Sequence, residues 1–152
     1  MSKTLSVVAI EQGCVIDHIP VGQAVHIVNA LQLDHIEIPV TLGLNLSSQR
    51  GGQKDLIKLH HKCLSEEEID RIAIFAPGAT VNHIEGFAVT EKYIIDPPQQ
   101  VVGVFLCPNS QCITHQEPVT SRFVVSVEGQ HTQFTCHYCE GRFVQALMHS
   151  AC

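Results

Sequence analysis

Residues 106–112 read L-C-P-N-S-Q-C, and residues 136–139 read C-H-Y-C. Cys107 and Cys112 form a C-x4-C, Cys136 and Cys139 a C-x2-C, and 23 residues lie between the pairs. Pro108, Asn109 and Ser110 are turn formers, and Glu140 and Gly141 follow the second pair. Two close cysteine pairs, each in a turn, are how a tetrahedral zinc ion acquires four thiolates. A full set of sulfur ligands leaves no open position for water or substrate, so such an ion is a structural staple. The competing readings are two disulfides or four unrelated buried thiols. Disulfides need an oxidising compartment, and the chain has seven cysteines, with Cys14, Cys63 and Cys152 scattered. His115 and His137 lie near enough in sequence to replace a thiol.

Upstream of the cysteines, D-P-P-Q-Q at residues 96–100 breaks the chain. Two consecutive prolines stop both helix and central strand, so this reads as a linker. It separates a domain at residues 1–98 from a zinc module at residues 99–152. The second piece is too small to hold a good core unaided. Metal binding there would contribute roughly 10–16 kcal/mol of folding free energy. Short strands are expected at Val101–Leu106, Arg122–Val127 and Thr132–Thr135, with a short helix near Phe143–His149.

The first domain reads as β-α-β-β-α-β. Leu5–Ile10 is β-rich and Cys14–Ile19 extends it. Pro20 opens a helical spacing of apolar residues at Val21, Ala24, Val25, Ile27, Val28 and Leu31. Ile36–Leu46 alternates as a strand through Val40, Leu42, Leu44 and Leu46. A polar Ser47–Gly52 loop and a Lys54–His61 strand follow. Ser65 and Glu68 form a capping box for a helix to about Ala76, stopped by Pro77-Gly78. Ala79–Ile95 is strand again, with a break expected near Glu85-Gly86. The expected class is α+β: a ferredoxin-like antiparallel sheet with two helices on one face, then a small all-β zinc domain.

Composition narrows the function. The chain is 45% hydrophobic and 16% charged, which is globular. No basic start precedes a long apolar run, and no stretch approaches the roughly 18 apolar residues of a membrane span. Free thiols beside a thiolate metal site point to a reducing cytoplasm. Net charge is -6, and the zinc module holds only Arg122 and Arg142 as cations. A nucleic-acid binder concentrates positive charge on one face, so the balance speaks against DNA or RNA.

Lys54 and Lys58 stand in K-D-L-I-K. On a strand they share a face, with Cα atoms about 13 Å apart at roughly 3.3 Å per residue. That suits an elongated anion or two adjacent ones, and Lys92 could join them. Spacing alone favours the plainer reading, that they are the solvated face of a strand. Asp17 and His18 are adjacent polar residues in V-I-D-H-I-P, placed either to meet the polar edges of a ligand or to start a helix before Pro20. Asn82 could read a base or cap a turn. Neither G-x-S-x-G, H-E-x-x-H nor a phosphate-binding glycine loop occurs, so no residue is assigned a catalytic role.

These segments occur in a telling order: V-I-D-H-I-P, G-L-N-L, K-D-L-I-K, A-T-V-N, C-P-N-S-x-C-I-x-H-x-E-P-V and C-x-Y-C-E. From about Leu5 to Phe143 the chain resembles the regulatory chains of aspartate carbamoyltransferase. The resemblance implies a chain that is not the enzyme but controls it in pyrimidine biosynthesis. It implies nucleotide binding in the first domain, with CTP inhibiting, UTP acting with CTP and ATP activating. It also implies one structural Zn2+ per chain, and regulatory-chain homodimers that bridge two catalytic trimers.

The family's nucleotide site falls on Val7, Ala9, Ile10, Val15, Asp17, His18, Lys54, Lys58, Asn82, Ile84, Val89 and Lys92. By analogy Asp17, Ile10 and backbone groups read the base. Lys58 and Lys92 hold base, ribose or phosphate, and Lys54 faces a second nucleotide or the phosphates. The zinc ligands fall on Cys107, Cys112, Cys136 and Cys139. The zinc loops would offer Asn109, Gln111, Glu117, Tyr138 and Glu140 to the catalytic chain. One departure is Val8, where better-known relatives carry an acidic residue. A free-standing sensor with another partner, a zinc-ribbon nucleic-acid binder and a zinc hydrolase are the other readings of these residues.

Overall fold

The computed structural model describes residues 9–128 and 131–150. The chain divides into two compact units, Met1–Asp96 and Pro97–Cys152.

The first unit comprises β1 (Gln12–Ile19), α1 (Ala24–Ala30), β2 (Val40–Ser47), β3 (Gln53–His60), α2 (Glu66–Phe75), β4 (Thr80–Glu85) and β5 (Ala88–Ile94). Its strands form one antiparallel sheet in the order β2-β3-β1-β4-β5. The expected β-α-β-β-α-β order is therefore present, and the α+β class holds. The run Ala79–Ile95 turns back at Gly86 and Phe87, both with positive φ, and becomes two strands. A fifth strand thus extends the sheet. The β-rich Leu5–Ile10 run lies mostly outside the described residues; Ala9 and Ile10 precede β1.

Alternation sorts the sheet into two faces. Cys14, Ile16, Ile57, Leu59 and Val81 are buried together with Ile27 of α1 and Ile72 of α2. The two helices meet where the His26 and Phe75 rings stack at 5.8 Å. Gly13 sits where a side chain could not: a Cβ there would lie 1.9 Å from the Leu59 carbonyl oxygen.

Two boundaries differ from the sequence reading. The helix begins at Ala24, because Pro20 to Gln23 form a turn closed by a Gln23 amide to Pro20 carbonyl bond of 3.0 Å. Val21 and Val25 are consequently exposed, and the buried stripe is Ala24, Ile27 and Leu31. The second strand begins at Val40, after a 3-10 turn at Leu33–His35. It lies at the sheet edge, and its Leu42 and Leu44 are exposed. By contrast α2 begins as read. Ser65 Oγ accepts from the Glu68 amide (3.2 Å), and Glu68 Oε1 accepts from the Ser65 amide (3.0 Å).

One buried charge organises this unit. Asp55 is 1% exposed, and its carboxylate accepts from the amides of Gly22 (2.9 Å), Ala24 (3.4 Å) and Asn45 (3.0 Å). It substitutes for the missing side-chain cap of α1 and ties down the irregularity of β2 between Gly43 and Leu46. An amide in its place would keep one acceptor oxygen, lose the charge assistance and set its NH2 group against a donor N–H. Asp55→Asn is therefore expected to destabilise the chain by about 2–4 kcal/mol, read as a lower denaturation midpoint.

The second unit comprises β6 (Gln100–Val102), β7 (Phe105–Leu106), β8 (Arg122–Glu128), β9 (His131–Cys136), β10 (Arg142–Val144) and β11 (His149–Ser150). One sheet runs β10-β9-β8-β6, and β11 pairs with β7. Phe105 packs edge-on against Phe123 (6.5 Å) and Phe134 (5.6 Å). These three rings, with Val101 and Met148, make a very small core. The helix expected near Phe143–His149 is instead a strand, a single 3-10 turn at Gln145–Leu147, and a second short strand. No helix among the described residues is long and apolar enough to cross a membrane.

Candidate effector and metal sites

The sheet face away from the helices collects most of the polar residues singled out in the first domain. Register puts Thr41 opposite Lys58, Lys58 opposite Val15, Val15 opposite Asn82, and Asn82 opposite Lys92. That is one continuous row across all five strands. A second row sets Gly13 beside Ile84 and Ile84 beside Val89. A third sets Asp17 beside Thr80. Asn82 donates to the Val15 carbonyl at 3.5 Å.

The Asp17–His18 step is a bulge. Between Ile16 and Ile19 the pairing of β1 with β3 slips by one residue, and His18 has φ 58°. A bulge re-aims side chains. Here it turns the His18 ring to Thr80 Oγ1 (3.3 Å from Nδ1) and frees Asp17 to meet Lys54 at 2.8 Å. Lys54 and Lys58 are therefore not two equivalent exposed lysines. One is held by a carboxylate, and the other is 9% exposed within the first row. The reading of them as a solvated face does not survive.

Burial alone would raise the Asp17 carboxyl, but bonds from Lys54 and the His18 amide, with the nearby positive charges, outweigh it and hold the group low. Burial lowers His18; Asp17 opposes this, while Arg50, Lys54 and Lys92 reinforce it. Burial also lowers Lys58, against the pull of Asp17. A carboxylate held low stabilises the fold above its unfolded value of 3.8, and the contribution disappears as pH falls through the lower folded value. Replacing Lys54→Met is expected to move the Asp17 titration upward, measured by carbon NMR of its carboxyl group.

Several expected residues stand apart. Val7, like Val8, lies outside the described residues. Ala9 is exposed and Ile10 buried, both on the segment before β1 rather than in its ladder. Thr41 and Thr80 were not legible as site residues, because their places come from strand register, which single motifs do not encode. Arg50 acts on His18 from the turn between β2 and β3.

In the second unit the four cysteines converge. Cys107 Sγ lies 3.7 Å from Cys139 Sγ, Cys112 Sγ lies 3.8 Å from Cys136 Sγ, and all four sulfurs are within 4.8 Å of one another. A disulfide needs about 2.05 Å, so these are not bridges. Four ligands at about 2.3 Å from a central zinc would be about 3.8 Å apart. The donor set therefore fits a tetrahedral metal.

Backbone amides surround the sulfurs: Asn109 donates to Cys107, Tyr138 and Cys139 to Cys136, and Gly141 to Cys139. Burial pushes the Cys107 and Cys136 thiols up. Burial acts the same way on Cys112, but bonds from Thr114 and the neighbouring thiols bring it down to about 6. Four thiolates in this volume need a cation. His115 is committed elsewhere, its Nε2 donating to the Cys107 carbonyl at 2.8 Å. His137 stacks edge-on with Tyr138 at 5.1 Å and does not join the cluster.

The rim is polar. Gln111, Glu117, Tyr138 and Glu140 are exposed, and Asn109 is half-buried with Oδ1 accepting from the Gln111 amide. The Tyr138 hydroxyl donates to the Thr120 carbonyl at 2.9 Å, and the residue is 37% exposed.

Comparison with known proteins agrees with both units. Residues 5–96 match the allosteric domain of the aspartate carbamoyltransferase regulatory chain. Residues 99–148 match the metal binding domain of that chain. The regulatory chain of Tolumonas auensis is 46% identical over 149 residues, 98% of this chain and 97% of its own length. That of Chromobacterium violaceum is 47% identical over 148 residues, 97% of each chain. That of Neisseria meningitidis is 47% identical over 136 residues, 90% of each. With a match that spans both units and four thiols set for a metal, the chain belongs to the aspartate carbamoyltransferase regulatory chain family.

Proposed function

We propose that this regulatory chain binds CTP, UTP and ATP on the helix-free face of its first domain, residues 1–98. Through its second domain, residues 99–152, it transmits their binding to the catalytic chain. The observation that carries the reading is the row Lys58–Val15–Asn82–Lys92, with the Asp17–Lys54 pair beside it. Cations from β3 and β5 stand on either side of a hydrogen-bonding centre. That arrangement is suited to a base between and phosphates at the basic flank.

On this reading Asp17, Ile10 and backbone groups select the base. Lys58 and Lys92 hold base, ribose or phosphate. Lys54 serves a second nucleotide or the phosphates once it leaves Asp17. Ala9, His18, Asn82, Ile84 and Val89 line the site, with Val7 in the segment leading to it. The metal is Zn2+, one in the four-cysteine site, because four thiolates favour a tetrahedral d10 ion. Asn109, Gln111, Glu117, Tyr138 and Glu140 form the contact with the catalytic chain. Two regulatory chains pair through the exposed edge of β2, where Leu42 and Leu44 have no cover within the described residues. The thiol chemistry suits a cytoplasmic complex.

Regulation then rests on differential affinity: a nucleotide shifts the quaternary equilibrium only by as much as it prefers one state, typically ~1–3 kcal/mol. The test is assembly. Mixed with catalytic trimers, the zinc-loaded chain should give a complex of higher mass that binds nucleotide by calorimetry. A chain that stays separate from the trimers would leave the free-standing sensor as the reading.

A further inference from the structure

A second group of soft ligands converges in the first unit, on the sheet face opposite Lys58 and Asn82. Cys14, Cys63 and His83 bring two sulfurs and a ring nitrogen within 4.8 Å of one another. The pairing of β1 with β4 sets Cys14 beside His83, and Cys14 Sγ lies 3.2 Å from His83 Nδ1. Cys63 arrives from the segment between β3 and α2. Three separate pieces of chain thus aim metal-binding atoms at one point.

A buried cysteine alone is ordinary core filling. That reading accounts for Cys14, which is 0% exposed, but not for the exposed Cys63 and half-buried His83 that join it. In a tetrahedral zinc site, bonds of about 2.3 Å to sulfur and about 2.0 Å to nitrogen put S···S near 3.8 Å and S···N near 3.6 Å. The observed spacing is within a small side-chain rotation of this. The surroundings also resemble those of the four-cysteine site. The Leu64 amide donates to the Cys14 sulfur, and the Tyr93 ring lies 5.8 Å from that of His83, tilted by 35°. Supporting groups of this kind orient metal ligands.

We propose that Cys14, Cys63 and His83 form a second metal site, taking a soft divalent cation of the zinc class. Three protein ligands leave the fourth position to water, on the side where Cys63 reaches solvent. The site would join β1 and β4 to the segment before α2. Those two strands carry Val15, Asp17 and Asn82 on their other face.

The test uses the full chain, kept reduced with a phosphine, equilibrated with Zn2+ and dialysed against micromolar free metal. Elemental analysis should give two equivalents per chain. Cys63→Ser and His83→Ala, both outside the fully buried core, should each give one. Cadmium NMR of the Cd2+-loaded chain should show two resonances. The one from the four-sulfur site should persist in both variants, and the other should vanish. A single equivalent and a single cadmium resonance in the unsubstituted chain would overturn the proposal. So would a second equivalent that both variants retain.

Discussion

Cys112→Ser is expected to leave the 97–152 unit unfolded and to abolish assembly with the catalytic chain. The reason is the size of its core. Apart from Phe105, Phe123, Phe134, Val101 and Met148, the described residues of the unit bury little besides the cysteines themselves. Binding of a structural zinc contributes on the order of 10–16 kcal/mol, as much as the whole stability of an ordinary domain. Losing one of four thiolates forfeits much of that.

Chelation should act in the same way without a substitution. As the ion leaves, protons must replace it, because burial holds Cys107 and Cys136 against ionisation. The loss should therefore come more readily at acid pH. Amide NMR dispersion would report the unfolding, and sedimentation would report release of the catalytic chain. A chain that stays folded and assembled after complete metal removal would refute this.

Lys58→Ala is expected to weaken nucleotide binding about 10- to 150-fold, the equivalent of one charge-assisted hydrogen bond of ~1.5–3 kcal/mol. The magnitude follows from burial. Lys58 is 9% exposed, so its charge works in a poorly screened setting, unlike an exposed surface lysine. Lys92 is exposed, and Lys92→Ala should cost less. Lys58→Arg should recover little, since the wider guanidinium must enter the tight row between Thr41 and Val15. Calorimetry of CTP, UTP and ATP on the assembled complex measures all three. Equal affinities for Lys58→Ala and the unsubstituted chain would remove Lys58 from the site.

Much of this was legible because it is local. The two cysteine pairs announce a metal through spacing alone, and Ser65 with Glu68 announces a helix start that the structure reproduces. The succession of strands and helices along the chain was legible too, whereas the fifth strand, formed where Gly86 and Phe87 turn the chain back, was not. What the chain does not write locally is register. Sequence could place Lys54 and Lys58 on one strand, but not separate their environments. That separation depends on a bulge at Asp17–His18 in a neighbouring strand. Asp55 sits in the same K-D-L-I-K motif, but its role is not written there, because its three amide donors come from the approach to α1 and from β2. Alternation marks Leu42 and Leu44 as strand residues but does not reveal that they are exposed, which follows from β2 lying at the sheet edge. The Cys14, Cys63 and His83 group was equally hidden, since its members are 49 and 20 positions apart in the chain.

On the proposed reading, nucleotide held on the open sheet face changes what the catalytic chain does. The most direct measurement is the aspartate saturation curve of catalytic trimers assembled with this chain, at saturating CTP, UTP or ATP and without nucleotide. At least one nucleotide should shift half-saturation, and the shift should be lost with Lys58→Ala while assembly persists. Superimposable curves under all four conditions, in a complex proven intact and loaded with zinc, would contradict it.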